Sequence, residues 1–177
     1  MIVVGVTGGI AAYKMCSVVS YLKGKDYDVH VVMTESAKKF VGPITFAALS
    51  GNPVIDDNTE WSPNGDIDHI LFSKAQLLLI APATANTIAK LSAGLADNVL
   101  TSLALAFTNR ILVYPAMNVN MYANEVTKRN VRKLRSLHQY HVVTPATGRL
   151  ACGDVGEGKL PDTKKIIEMT EGYLKSP

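Results

Sequence analysis

The 177-residue chain is poor in cysteine, with two, and poor in tryptophan, with one. Two thiols cannot build a disulfide framework, and no Cys/His pairs stand at zinc-ligand spacing. The sequence therefore predicts no metal site and a reducing, cytoplasmic setting. Long apolar runs are missing too. The most apolar stretch, Leu77 to Ala83, is far too short to span a bilayer. The N-terminus MIVVGVTGG has no basic start and no cleavage site, which predicts no signal peptide. Charged residues make up only 19% and the net charge is +3, a balance that suits anionic small molecules and argues against nucleic acid. One basic run occurs, Lys128, Arg129, Arg132, Lys133 and Arg135, at the spacing of a solvated helix face. Two nucleotide signatures are also lacking: GVTGGIAAYK does not fit G-x-G-x-x-G, and no G-x-x-x-x-G-K-[ST] is present.

Apolar residues are plentiful at 47%, which predicts a globular chain, read here as one domain over residues 1–177. Buried strands are expected at 2–7, 28–33, 77–83, 110–116 and 141–144, with HILF, 69–72, as a further short strand. Helices are expected at 10–23, a short one after Thr34 or Ser36, one opened by Pro43, then 86–93, 97–107 with Asp97 as its cap, a long one over 118–137, and 163–174. Residues 51–68 read as irregular. Apolar strands alternating with helices predict a three-layer α/β sandwich, a Rossmann- or flavodoxin-like parallel sheet with helices on both faces. In that architecture the ligand sits at the carboxyl ends of the strands.

The distinctive stretches fall at those ends. Gly8 and Gly9 form a turn whose missing Cβ atoms let a ligand approach, with a helix start at Ile10 open to an anion; a plain strand-to-helix turn has the same composition. The second strand ends Thr34-Glu35-Ser36. Glu35 keeps open a dinucleotide reading with an acid on the ribose, whereas the two hydroxyls suit the phosphate of a mononucleotide such as FMN. Thr84, Ala85, Asn86 and Thr87 leave room for a flat ring that Asn86 can bond, or Asn86 is simply a helix cap. Asn118 either orients a carboxylate or caps the next helix. His69 is either structural or an acid/base group near neutral pH, and His30, His138 and His141 receive no role. Cys16 reads as a small core residue. The segment TPATGRLACGDVGEGKLPD, 144–162, has four glycines between Pro145 and Pro161 and lacks strand alternation. It predicts a loop over 145–161, either a lid or a connector.

Taken together, these stretches resemble the flavin-dependent cysteine decarboxylases over nearly the whole chain. The motif P-x-M-N-x-x-M stands as PAMNVNM, Pro115 to Met121, in order with APATANT, the histidine before ILF, and LACGDVGEG. Within that family the resemblance points to the branch acting on 4′-phosphopantothenoylcysteine in coenzyme A synthesis, in its free-standing form. It implies FMN, a homo-oligomer built from trimers with sites between subunits, and no membrane partner. By resemblance, Gly8, Gly9, Thr34 and Ser36, with Ile10 beside them, hold the phosphate side of FMN. Thr84, Ala85, Asn86, Thr87 and Ala116 lie along the flavin. His69 and Cys152 are catalytic, Asn118 holds the substrate carboxylate, and Met121, Ala151 and Gly153 complete the substrate contacts. The loop 145–161 becomes a substrate clamp whose glycines let it fold over, with Cys152 as proton donor in a final reduction. Tyr122 stands where the family often has Trp, and Lys159 where Arg or a small residue is frequent. Alternatives are a peptidyl-cysteine decarboxylase of lantibiotic maturation, a prenylated-flavin synthase, and a phosphatase-inhibitor binding protein.

Overall fold

Five strands form one parallel sheet: β1 (Ile2–Val6), β2 (Val29–Met33), β3 (Leu77–Ala83), β4 (Arg110–Pro115) and β5 (Tyr140–Val142), in the order β2-β1-β3-β4-β5. The computed structural model describes residues 1–59 and 68–175, with the side chains of Asp68 and His69 outside the described set. Strand alternation splits the core in two. Ile2, Val4, Val6, Leu77 and Leu79 pack with α1 (Lys14–Gly24), α2 (Pro43–Ser50) and α8 (Thr163–Lys175). Val3, Leu78, Ile80, Ile111 and Val113 pack with α4 (Ala85–Ala93), α5 (Val99–Ala106) and α7 (Glu125–Ser136). Both sheet faces are covered, so the strands read as unbroken apolar runs. This is a flavodoxin-like α/β fold, with its order reversal between β1 and β3. A Cβ on Gly5 would stand 2.6 Å from Leu100 Cδ1, so glycine there lets α5 lie close on the sheet.

Local chemistry sets the element ends. Pro43 opens α2 and Gly51, at φ +74, closes it. The Thr84 hydroxyl accepts from the Thr87 N–H at the start of α4. α5 begins with a reciprocal capping box between Asn98 and Thr101.

Several sequence expectations are corrected. HILF is not a strand: α3 (Asp68–Leu71) runs into a 3-10 turn, Phe72–Lys74. Ile70 and Leu71 are about half exposed, so the apolar run marks no buried strand. Asn98 rather than Asp97 caps α5, because Asp97 is bound by Lys90 Nζ at 2.7 and 2.8 Å. The helix expected over 118–137 is two, α6 (Val119–Ala123) and α7. Asn124 is extended between them and its side chain accepts from the Val126 N–H, so its cap chemistry starts a new helix where the sequence suggests continuity. The loop expected over 145–161 contains an antiparallel hairpin, β6 (Ala146–Arg149) and β7 (Val155–Lys159). The hairpin lacks apolar alternation because β7 docks on Met117 and Val119 instead of the sheet core.

Candidate active site

A cavity of about 1030 Å³ opens at the carboxyl ends of β1, β2, β3 and β4, with the hairpin as one wall. Its floor is the β1 turn. Gly9 is extended (φ −145, ψ 153), and the chain then winds into a 3-10 turn, Ile10–Tyr13. A Cβ on Gly8 would lie 2.4 Å from Ser36 Cβ, so this glycine admits the neighbouring turn of the protein itself. Gly9 has only Pro82 Cγ near its Cβ position, at 3.8 Å, and faces the cavity. Ile10 stands at the mouth, 58% exposed. Thr7, which the sequence reading passed over, ties the floor together. Its hydroxyl donates to Pro82 O at 2.7 Å and accepts from the Thr84 N–H at 3.1 Å.

The β2 end supplies Thr34 and Ser36. The Thr34 hydroxyl is buried at the cavity wall and has no hydrogen-bond partner among the described residues, an orphan that a bound ligand would satisfy. Glu35, the acid that kept a dinucleotide reading open, is engaged by Lys38 Nζ at 2.6 Å and Asn58 Nδ2 at 3.3 Å. Lys38 also reaches Asp56 at 2.5 Å. Burial pushes the Asp56 carboxyl up, but the hydrogen bonds from Lys38 and the Asn58 N–H outweigh it and hold the group below the usual carboxylate range. Asp56 belongs to a segment stitched to the sheet edge by the Ile55–Val32 bridge. The next residue, Asp57, accepts from the Val99 N–H at 2.8 Å and so caps α5.

The β3 end stands where the sequence suggests, but the helix cap is a different residue. Thr84, not Asn86, is the cap of α4, and the Thr87 hydroxyl sits 3.2 Å from that of Thr84. Asn86 is exposed and lines the cavity with Ala85. Beyond β4, the Ala116 N–H donates to Ala83 O at 3.0 Å, which fixes PAMN beside the β3 turn. Asn118 caps α6 through Oδ1, which accepts from the Asn120 N–H at 2.8 Å. Its Nδ2 donates to Asp154 Oδ2 at 2.9 Å and lies 3.4 Å from Cys152 Sγ. The Cys152 thiol in turn donates to Asp154 Oδ2 at 3.4 Å. Asp154 was not singled out from the sequence; its signal is its place two residues from the clamp cysteine.

Met121 and Ala151 line the cavity; Gly153 does not. Gly153 has φ +94 and shapes the hairpin tip, its N–H donating to Leu150 O at 3.0 Å. The hairpin glycines also differ from expectation. A Cβ on Gly156 would meet Val119 Cγ1 at 2.9 Å, and one on Gly158 would meet Met117 O at 2.4 Å. They serve close docking, not freedom to fold over. His69 lies in α3, with its side chain outside the described residues. Lys159, noted in the sequence as a departure from the family pattern, lines the hairpin wall with Arg149, and Lys14 lines the floor; the motif reading missed the last two. Among the described residues no helix is long and apolar enough to cross a membrane.

The pattern of the family described as Flavoprotein matches residues 1–175. A Streptococcus mutans protein named a probable phosphopantothenoylcysteine decarboxylase is 42% identical over 176 residues, covering 98% of both chains. A solved PPC decarboxylase mutant complexed with pantothenoylaminoethenethiol superposes with TM-score 0.88 at 28% identity, covering 99% of this chain and 98% of that one. The FMN-dependent cysteine decarboxylase SpaF matches with TM-score 0.80 at 31% identity, covering 95% and 93%. The chain spans only 43% of the length of a 40% identical bifunctional coenzyme A biosynthesis protein, CoaBC of Vibrio vulnificus.

Proposed function

The chain belongs to the flavoprotein family, and from that premise we propose that it is an FMN-dependent decarboxylase that converts 4′-phosphopantothenoylcysteine to 4′-phosphopantetheine in coenzyme A synthesis. The observation that carries the proposal is the meeting of Asn118 and Cys152, from PAMN and the hairpin, at 3.4 Å on the wall of the large cavity. The 42% identity of the Streptococcus mutans relative supports the substrate. The residues present fit a mononucleotide. The orphaned Thr34 hydroxyl and Ser36 sit beside Gly9 and Ile10, as a phosphate requires, while Glu35 is already held by Lys38. Gly8 adds the close approach of the two turns. Thr84, Ala85, Asn86, Thr87 and Ala116 would flank the ring.

Bound there, FMN supplies a two-electron sink and later returns the electrons. The substrate needs that sink, because a carboxylate next to a carbon bearing only a saturated thiol side chain cannot leave as CO2. Oxidation of the substrate C–S carbon to a thioaldehyde lets CO2 depart, leaving an ene-thiol that must be protonated at carbon and reduced. Asn118 orients the carboxylate with Nδ2, its Oδ1 being locked by Asn120. Met121 and Ala151 bound the substrate, and Gly153 shapes the tip that carries Cys152 over it. His69 assists proton transfer, and the Cys152 thiol gives the last proton to carbon. The assembly is a homo-oligomer built from trimers, in the cytoplasm. Exposed Ile10 and Tyr13 at the mouth, each 58% exposed, suit closure by a second copy.

The test is a mass spectrum of the product after anaerobic incubation with 4′-phosphopantothenoylcysteine. Saturated 4′-phosphopantetheine supports the full cycle. A product two hydrogens lighter means that reduction does not occur and refutes the role of Cys152. In the Cys152→Ser variant, CO2 release is expected to persist while the lighter ene-thiol accumulates. Saturated product at the wild-type rate would exclude this thiol as the donor.

A further inference from the structure

The triangle of Asn118, Cys152 and Asp154 contains a group that the proposed reaction does not use. The Asn118 amide is fixed: Oδ1 is spent on the Asn120 N–H, so only Nδ2 faces the cavity. That donor is taken by the Asp154 carboxylate at 2.9 Å. Nδ2 carries two N–H groups, one given to Asp154 and the other directed at Cys152 Sγ at 3.4 Å, so the hairpin tip occupies both. Asp154 therefore stands where the proposed reaction puts the carboxylate of the substrate, and two carboxylates at one amide nitrogen repel. The hairpin tip is a tight turn, with the Leu150 N–H donating to Asp154 O at 2.8 Å and the Gly153 N–H to Leu150 O at 3.0 Å. Cys152 and Asp154 consequently move together, while the hairpin base is held by the Met117 N–H on Gly158 O at 2.9 Å.

We propose that Asp154 is a positioning residue that occupies the Asn118 amide in the free enzyme, yields it to the substrate carboxylate, and returns when CO2 has left, bringing the Cys152 thiol onto the reacting carbon. The inference rests on the decarboxylase reading. It orders the reaction, because the proton donor comes into place only when the carboxylate has gone. In that last stage the Cys152 S–H bond breaks and a C–H bond forms at the carbon that lost CO2. The adjacent sulfur-bearing carbon takes up the hydride that bound, reduced FMN would supply, and the Cys152 thiolate recovers a proton from water.

The test is calorimetric titration of the FMN-loaded protein with two ligands. One is the serine analogue of the substrate, which keeps the carboxylate but has a hydroxyl for the thiol. The other is 4′-phosphopantetheine, which lacks the carboxylate. If Asp154 fills the subsite about nine-tenths of the time, Asp154→Ala tightens the serine analogue roughly tenfold and leaves 4′-phosphopantetheine within about twofold. Asp154→Asn, which keeps the size but not the charge, tightens it too. With the cysteine substrate, both variants show a lower KM and release ene-thiol beside saturated product. A merely structural role for Asp154 would weaken both ligands alike. Unchanged or weaker binding of the serine analogue by both variants overturns the inference while leaving the decarboxylase reading intact. Failure of the wild-type protein to bind either ligand overturns the reading itself and this inference with it.

Discussion

Replacing Gly158 by alanine tests how the hairpin is held. Gly158 has φ +141, a region that costs a residue with a side chain about 1–3 kcal/mol. Its new methyl would lie 2.4 Å from the Met117 carbonyl oxygen, which is backbone and cannot rotate away. Relief requires the two segments to part by about 0.8 Å, and that carries the 2.9 Å bond from the Met117 N–H to Gly158 O beyond hydrogen-bond range. Losing that bond adds about 1 kcal/mol and the residual overlap about another. The sum, about 3–5 kcal/mol, shifts the docked hairpin toward the undocked by roughly a hundredfold to several thousandfold. Amide exchange reads this directly. The Met117 N–H should exchange at least about a hundredfold faster in Gly158→Ala, while amides of β3 keep their protection because β6 and β7 form a separate sheet. Formation of saturated product should fall with it. Gly172, in α8 with open space around its Cβ position, is the matched control, where alanine should stabilise by about 0.5–1 kcal/mol. Unchanged protection at Met117 and unchanged product in Gly158→Ala would refute the docking argument.

Three other outcomes are expected. Thr34→Val should weaken FMN binding by about tenfold while leaving the apoprotein as stable as wild type or more so, because the lost hydroxyl is buried and has no partner among the described residues; equal FMN affinity by fluorescence titration would exclude its contact with the cofactor. Tyr114→Phe should raise stability by up to about 1 kcal/mol, since the Tyr114 hydroxyl is also buried without a partner among the described residues and burial pushes its pKa up; a clear loss in urea denaturation would mean that a partner exists. Asp56, with a folded pKa below the ordinary value near 4, contributes stability that is full above that value and lost as pH falls through the depressed folded one. Asp56→Asn should therefore flatten the acid limb of stability against pH, and parallel limbs would refute the pairing with Lys38.

The sheet was legible because both its faces are buried: LLLIAPA needs no alternation to announce a central strand, and β3 spans it from Leu77 to Ala83. Strand ends were legible for a related reason, since glycine, threonine and asparagine cluster where a parallel sheet presents ligands. What failed was chemistry decided by partners distant in sequence. HILF is apolar enough for a strand, yet two of its side chains face outward. The basic run does lie on α7, but no periodicity reveals that Asn124 restarts the helix before it. The hairpin was invisible because β7 answers to Val119 and Met117, not to a core, so its glycines look like slack. Asp154 was missed because its place two residues from Cys152 does not reveal that its carboxylate meets an amide 36 residues earlier.

The contact between Gly8 and Ser36 sets a rule for redesign. The turns after β1 and β2 interlock with less than one side chain of room between them. A cofactor-preference swap that rewrites only the first turn, for example by importing a longer dinucleotide loop, would drive a side chain into Ser36 and displace Thr34 with it. A compatible library must vary residues 8 and 36 as a pair, one gaining bulk only where the other loses it, even though 28 positions separate them in the chain.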